Sequence, residues 1–183
     1  EDLVEKKAFV EKSLEKLDTI CSGTDGIGVI CGFASPNKSR QGHSVFNAAA
    51  LMENRQIIGV QYKSLLPNYD VFDEMRHFEP SKEKKILSFR GKQLGISICE
   101  DSWNDKDFWN HQIHPIDPME ELAKQGAEIL INISASPFNL QKNFLRLEIF
   151  RNMTTKYRLP CVFVNSIGGN DSLIFDGCSF ALD

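Results

Sequence analysis

A layered α/β domain of mixed sheets is the fold class that this 183-residue sequence predicts, and three observations predict it. An amphipathic helix opens the chain, short β-branched runs pair across turn residues in the first half, and helices alternate with near-continuously apolar strands in the second.

The elements follow in order. From Asp2 to about Ile20, Leu3, Val10, Leu14, Leu17 and Ile20 recur at helical spacing among Lys and Glu, which predicts a surface helix laid on a sheet. Gly26 to Phe33 is short, β-branched and bounded by turn residues, the pattern of a buried strand, and Ala34 to Gly42 reads as a polar loop. Ser44 to Met52 and Gln56 to Lys63 suit a hairpin turning at Glu53-Asn54-Arg55. A second hairpin is predicted for Lys85 to Arg90 and Gln93 to Cys99, turning at Gly91-Lys92. Pro118 to Gly126 reads as a helix capped by Asp117 and closed by Gly126, followed by a strand from Glu128 to Ile133. Phe144 to Tyr157 is a further helix and Pro160 to Asn165 a further strand, before a turn at Gly168 to Asp171 leads into Ile174 to Leu182.

Composition narrows the function classes. An apolar content of 42% in this length supports one substantial core, hence a single domain over residues 1–183. The chain opens on a helix with no strand before it and stops straight after a strand, so further parts of the same domain are expected on both sides. A net charge of -4, with Lys and Arg scattered and no aromatic-rich basic stripe, argues against nucleic acid and for a small-molecule partner. No apolar run reaches the roughly 18 residues that span a bilayer, and the N-terminus does not resemble a signal peptide, so a soluble, cytoplasmic protein is expected.

The five cysteines, 21, 31, 99, 161 and 178, form no CxxC pair, which fits free thiols; four of them read as small buried apolar side chains. Cys99 differs. It ends the strand-like run Leu94 to Ile98 and is followed at once by Glu100 and Asp101. A thiol on such a turn can project into a cleft while the next backbone N–H points at the same space, as an oxyanion hole requires. Lys63 closes another apolar run, Ile57 to Tyr62. Packing accounts for many strand-ending cysteines, and a lone lysine commonly snorkels to water. Beside a thiol, an ammonium would instead lower the thiol pKa and stabilise a tetrahedral oxyanion.

The segments YKSLLPNYDVFDEMRHFEP (62–80), GISICEDSW (95–103), INISASPF (131–138) with Lys142 behind it, and VNSIGGNDSLIFDGCSF (164–180) resemble, in order, the nitrilase or carbon-nitrogen hydrolase superfamily. More narrowly, they resemble the glutamine amidohydrolase domain of bacterial glutamine-dependent NAD synthetases. The resemblance implies an α-β-β-α four-layer sandwich, truncated at both ends, that hydrolyses the glutamine side-chain amide through a cysteine thioester. It places the nucleophile on Cys99, the triad lysine on Lys63 and a supporting glutamate on Glu74, for which a surface acid beside Arg76 is the plain alternative. Glutamine-handling positions fall on Tyr69, Glu100, Ser136 and Lys142. The triad glutamate falls on no residue of this sequence; it is expected upstream, and Glu1 is not assigned the role. No metal or organic cofactor is implied for this domain, since ATP and magnesium belong to a separate synthetase domain. Glutamine or another small amide, that synthetase domain and further copies of the chain are the implied partners. A stand-alone amidase, nitrilase or carbamoyl hydrolase, or a non-catalytic assembly domain, remain alternatives on the same fold.

Three other features carry less. His111 and His114 have no third ligand at metal spacing, Asp25-Gly26-Ile27-Gly28 lacks the third glycine of a dinucleotide fingerprint, and Trp103, Phe108 and Trp109 read as core or interface.

Overall fold

A computed structural model describes residues 2–183; Glu1 lies outside the described residues. The chain divides into two compact units, one running to Leu87 and the other from Ser88 to Asp183.

In the first unit, a 3-10 turn (Asp2–Glu5) leads into helix α1 (Lys7–Cys21), so the expected helix is interrupted near Lys6. Its buried face is Val10, Leu17 and Cys21, whereas Leu3 and Ile20 are exposed. Strands β1 (Val29–Pro36), β2 (Val45–Glu53) and β3 (Gln56–Tyr62) form an antiparallel sheet in the order β1-β2-β3. β1 extends through Ala34 to Pro36, residues that the sequence suggested were loop, because each pairs with β2. The central β2 buries Ala48 to Met52 on both faces. The β2–β3 hairpin turns at Asn54 and Arg55, both at positive φ, as a primed two-residue turn requires. Leu17 and Cys21 of α1 pack with Ala50 and Met52, which fixes the helix on the sheet. A short helix, α2 (Glu74–His77), completes the unit.

Strand β4 (Ile86–Phe89) carries the chain from the first unit to the second and turns into β5 (Lys92–Ile98). The turn sits at Arg90 and Gly91, φ 48° and 78°, one residue earlier than the sequence suggested, because both central residues must adopt positive φ. Helix α3 (Pro118–Lys124) and strand β6 (Ile129–Ser134) follow. Asp117 caps α3 by accepting from the backbone N–H groups of Met119 and Glu120. Helix α4 (Lys142–Tyr157) leads to β7 (Cys161–Asn165). β5, β6 and β7 are parallel neighbours, and β10 (Phe180–Leu182) adds antiparallel to β7, giving the order β10-β7-β6-β5-β4. Phe150 of α4 meets Phe163 and Phe180, with ring centroids 5.2 and 5.5 Å away, and this cluster holds the helix on the sheet.

The C-terminal stretch departs from expectation. Ile167 to Asn170 is a strand, β8, paired with β9 (Leu173–Asp176), and the reversal falls at Asp171 and Ser172 instead of at the glycines. Gly177 and Cys178, at φ 65° and 53°, break Ile174 to Leu182 into β9 and β10. Of the four cysteines read as buried, Cys21 and Cys161 are so, Cys31 is half-buried and Cys178 is exposed; none of the five forms a disulfide. Among the described residues, no helix is long and apolar enough to cross a membrane.

Candidate active site

The second unit presents the carboxyl ends of three parallel strands, the end of an α/β sheet at which ligands characteristically bind. β5 stops at Ile98, so Cys99 is the first residue beyond it and opens a 3-10 turn through Ser102. Its φ is +44°, a left-handed conformation that a side chain adopts at a cost of about 1–2 kcal/mol. Neighbours hold it there. Asp101 Oδ2 accepts from the Ile98 N–H at 3.1 Å, and the Cys99 carbonyl accepts from Ser102 Oγ at 3.0 Å and Asn132 Nδ2 at 3.3 Å. Glu100 is buried, and its Oε1 lies 3.4 Å from His114 Nε2. His114 is delivered by a loop stitched through Asn104, whose Nδ2 donates to the carbonyls of His114 and Ile116. At the base of that loop, Asp105 is buried and accepts from Asn152 Nδ2 and Lys156 Nζ of α4.

The loop after β6 carries Ser136, which is only 2% exposed. Asn165, at the end of β7, accepts from the Ser136 N–H at 2.8 Å and donates to the Ser136 carbonyl at 3.2 Å. Arg146 of α4, 1% exposed, donates to Ser136 Oγ through Nε and Nη2 at 3.3 and 3.1 Å. It also reaches the carbonyls of Ser136 and Pro137, both at 3.0 Å, and both oxygens of Asp176 at 2.8 and 3.0 Å. Burial alone would raise the Asp176 pKa, but the Arg146 hydrogen bonds and charge outweigh it and hold the carboxyl below its ordinary value. Lys142 begins α4 with its ammonium 5.3 Å from the centroid of the Trp103 ring.

In the first unit, Lys63 follows β3 directly and is 1% exposed. Its Nζ donates to both carboxylate oxygens of Glu74, each at 2.7 Å. Asn47 of β2 touches both partners, its carbonyl accepting from the Lys63 N–H at 2.9 Å and its Nδ2 donating to Glu74 Oε2 at 3.4 Å. Glu74 is therefore a buried ion-pair partner and not a surface acid; Arg76 lies 3.8 Å from Asp73 instead. Tyr69, 42% exposed, sits on the loop after Lys63 with its ring edge-to-face against Phe72.

Lys63 and Glu74 thus meet directly, Cys99 and Glu100 share one turn, and Ser136 follows the neighbouring strand. Sequence reasoning missed Arg146, Asn165 and Asp176. One signal for Arg146 was present: it occupies the same stripe of α4 as Ile149, Phe150 and Met153, so a cation stands in an apolar face. Burial pushes the thiols of Cys31 and Cys161 up, which keeps them protonated and poorly nucleophilic. Among the described residues, no group of three His, Cys, Asp or Glu side chains could hold a metal ion.

A carbon-nitrogen hydrolase family model matches residues 9–183. Over its whole length the chain is 37% identical to the glutamine-dependent NAD(+) synthetase of Synechocystis, of which it covers 33%. It superposes on the glutamine-dependent NAD+ synthetase of Acinetobacter baumannii with a TM-score of 0.83 and 31% identity, covering 99% of this chain and 32% of that one. An amidase of the nitrilase superfamily from Nesterenkonia shares the fold, with a TM-score of 0.77 at 17% identity, over 98% of this chain and 63% of that one. The chain spans about a third of the length of the curated relatives it matches.

Proposed function

The chain belongs to the carbon-nitrogen hydrolase family, and we propose that it is an incomplete glutaminase domain that hydrolyses the side-chain amide of glutamine through a thioester on Cys99. The observation that carries the reading is the strained Cys99 turn at the carboxyl end of β5, with the Glu100 backbone N–H following it.

In this reading a general base takes the thiol proton and Sγ attacks the amide carbon. The carbonyl oxygen becomes an oxyanion, stabilised by the Glu100 N–H and the Lys63 ammonium. Collapse breaks the C–N bond, the proton passes to the departing nitrogen, and ammonia leaves a γ-glutamyl thioester. Water then adds to the thioester carbon, giving glutamate and restoring the thiol, so that glutamine and water become glutamate and ammonia. Glu74 is assigned to holding Lys63, because both its oxygens are already engaged by Nζ. The base is the triad glutamate of the family pattern, which no position of this sequence matches. Glu100 and Lys142 are assigned to the substrate's α-ammonium and α-carboxylate, and Tyr69 and Ser136 to hydroxyl contacts.

The activity named for the relatives, glutamine-dependent NAD(+) synthesis, supports a further step in which the ammonia passes to a separate synthetase domain. Hydroxylamine trapping tests the reading. With glutamine, the full-length protein should form γ-glutamyl hydroxamate, and Cys99→Ala should abolish it. Hydroxamate formation that survives Cys99→Ala would refute the thioester.

A further inference from the structure

Strand β3 is an edge of the first unit's sheet, and a cavity of about 500 Å3 lies against it, bounded by the loop after β1 and the segment after α2. That volume suits a small molecule. Both walls are pinned. Asn37 holds the loop by donating to the carbonyls of Gln41 and His43, and Glu79 Oε2 accepts from the His43 N–H at 2.8 Å. The other wall is tied to β3 by Lys84 Nζ, which donates to the Tyr62 carbonyl at 2.8 Å, and by the Lys85 N–H, which donates to Gln61 Oε1 at 3.2 Å. The cavity is therefore formed before any ligand arrives.

Its lining combines rings with cations. Phe46 and Tyr62, both half-buried, stand with ring centroids 4.5 Å apart and planes tilted by 30°, and they line a neighbouring cavity of about 540 Å3 as well. The charged residues that line the two cavities are Lys38, Lys82 and Lys85 against Glu79 and Glu83. Glu79 is committed to the loop backbone, and none of the three lysines makes an ion pair among the described residues. Unpaired cations gathered in a chain of net charge -4 favour an anionic ligand. Gln61, 1% exposed, also lines the first cavity. The Lys85 N–H can only donate, so it fixes the amide oxygen and leaves Nε2 buried without a partner among the described residues. A buried donor in that state is costly, and such groups mark places where a ligand completes the network.

We propose that this cavity is a second, non-catalytic ligand site that takes a planar ring carrying a phosphate, of the class of a nucleoside monophosphate. The ring lies against Phe46 and Tyr62 and offers an acceptor to Gln61 Nε2, while the phosphate meets the lysine ammonium groups. A phosphate suits several separate cations better than a carboxylate does, because it brings more charge and a third oxygen, and lysine binds it as a point charge. No step of the glutamine chemistry enters this argument, so the site stands or falls apart from that reading.

Hydrogen exchange of the full-length protein, read segment by segment with and without AMP, tests the proposal and separates this site from binding elsewhere in the chain. AMP should slow exchange saturably in residues 37–46 and 79–87. Adenosine, which lacks the anion, and inorganic phosphate, which lacks the ring, should each need at least about tenfold higher concentration for the same protection. The double substitution Lys82→Ala with Lys85→Ala, at two exposed positions, should raise the half-saturating AMP concentration for these segments by about tenfold or more and leave glutamine turnover unchanged. Protection of neither segment by AMP, or protection that the double substitution leaves unmoved, would overturn the proposal. Equal protection by inorganic phosphate would overturn the ring and with it the nucleotide class.

Discussion

Lys63 Nζ stands 2.7 Å from each carboxylate oxygen of Glu74, and the lysine side chain is wholly enclosed. An ammonium in that setting keeps its charge because the carboxylate is there, and the carboxylate tolerates burial for the same reason. Removing either partner alone takes from the other buried charge the counter-charge that it meets most closely in this pair. Lys63→Met and Glu74→Gln should each lower unfolding stability by about 3–5 kcal/mol, while the double substitution costs less than the sum. Urea unfolding of the four proteins in this cycle measures the coupling, and additive losses would contradict the pairing.

The backbone at Cys99 gives a prediction of unusual sign. At most positions glycine is less stabilising than alanine, by about 0.5–1 kcal/mol in a helix or strand. At φ +44° the order should reverse, so that Cys99→Gly is more stable than Cys99→Ala by about 1 kcal/mol. Both variants should be inactive. Equilibrium denaturation checks the sign, and an alanine variant more stable than the glycine one would mean the turn is unstrained.

The Arg146–Asp176 pair makes stability depend on acidity. Because the Asp176 pKa is lowered in the folded state, the unfolded chain binds its proton more readily at mildly acidic pH. The pair's contribution is present above the ordinary aspartate pKa of about 3.9 and is lost as pH falls through the lower folded value. The stability difference between the unaltered protein and Asp176→Asn should therefore be flat near neutrality and shrink below about pH 4. A difference that persists undiminished at lower pH would contradict the assignment.

The loop bearing His114 is anchored by Asp105. Burial pulls the Lys156 pKa down, but its hydrogen bonds to Asp105 and Asp107 win and hold the ammonium charged well above the usual lysine range. Asp105→Ala should cost about 2–3 kcal/mol and speed amide exchange across residues 103–117 more than across the N-terminal half of α4. Uniform acceleration over both would indicate global destabilisation in place of a released loop.

Much of this was legible in the sequence, and the failures have identifiable causes. Cys99 stood out because an apolar run ended on it and two acids followed, but packing accounts for many such cysteines, and the motif resemblance was what singled it out as a nucleophile. The β4–β5 turn was misplaced by one residue because Gly91 attracted the assignment, whereas Arg90 also had to adopt positive φ. The glycines at 168 and 169 suggested a turn, but side-chain-free backbone also suits a narrow hairpin strand, and Asp171 took the left-handed conformation. Local spacing alone pairs Glu74 with Arg76, and only the motif resemblance set it beside the lysine; Lys63 is eleven residues away and the contact is made by the fold. Arg146 went unrecognised because its partners Ser136, Pro137 and Asp176 lie in two other segments, and such convergence is invisible to periodicity.

The central claim, that Cys99 is the nucleophile of a glutamine-cleaving site, is tested most directly by labelling the full-length protein with a glutamine-like diazo-ketone and mapping the modified residue by mass spectrometry, with glutamine as competitor. The account predicts modification of Cys99 alone among the five cysteines, suppressed by glutamine. Labelling spread over several cysteines, exposed Cys178 included, or indifferent to glutamine, would contradict it.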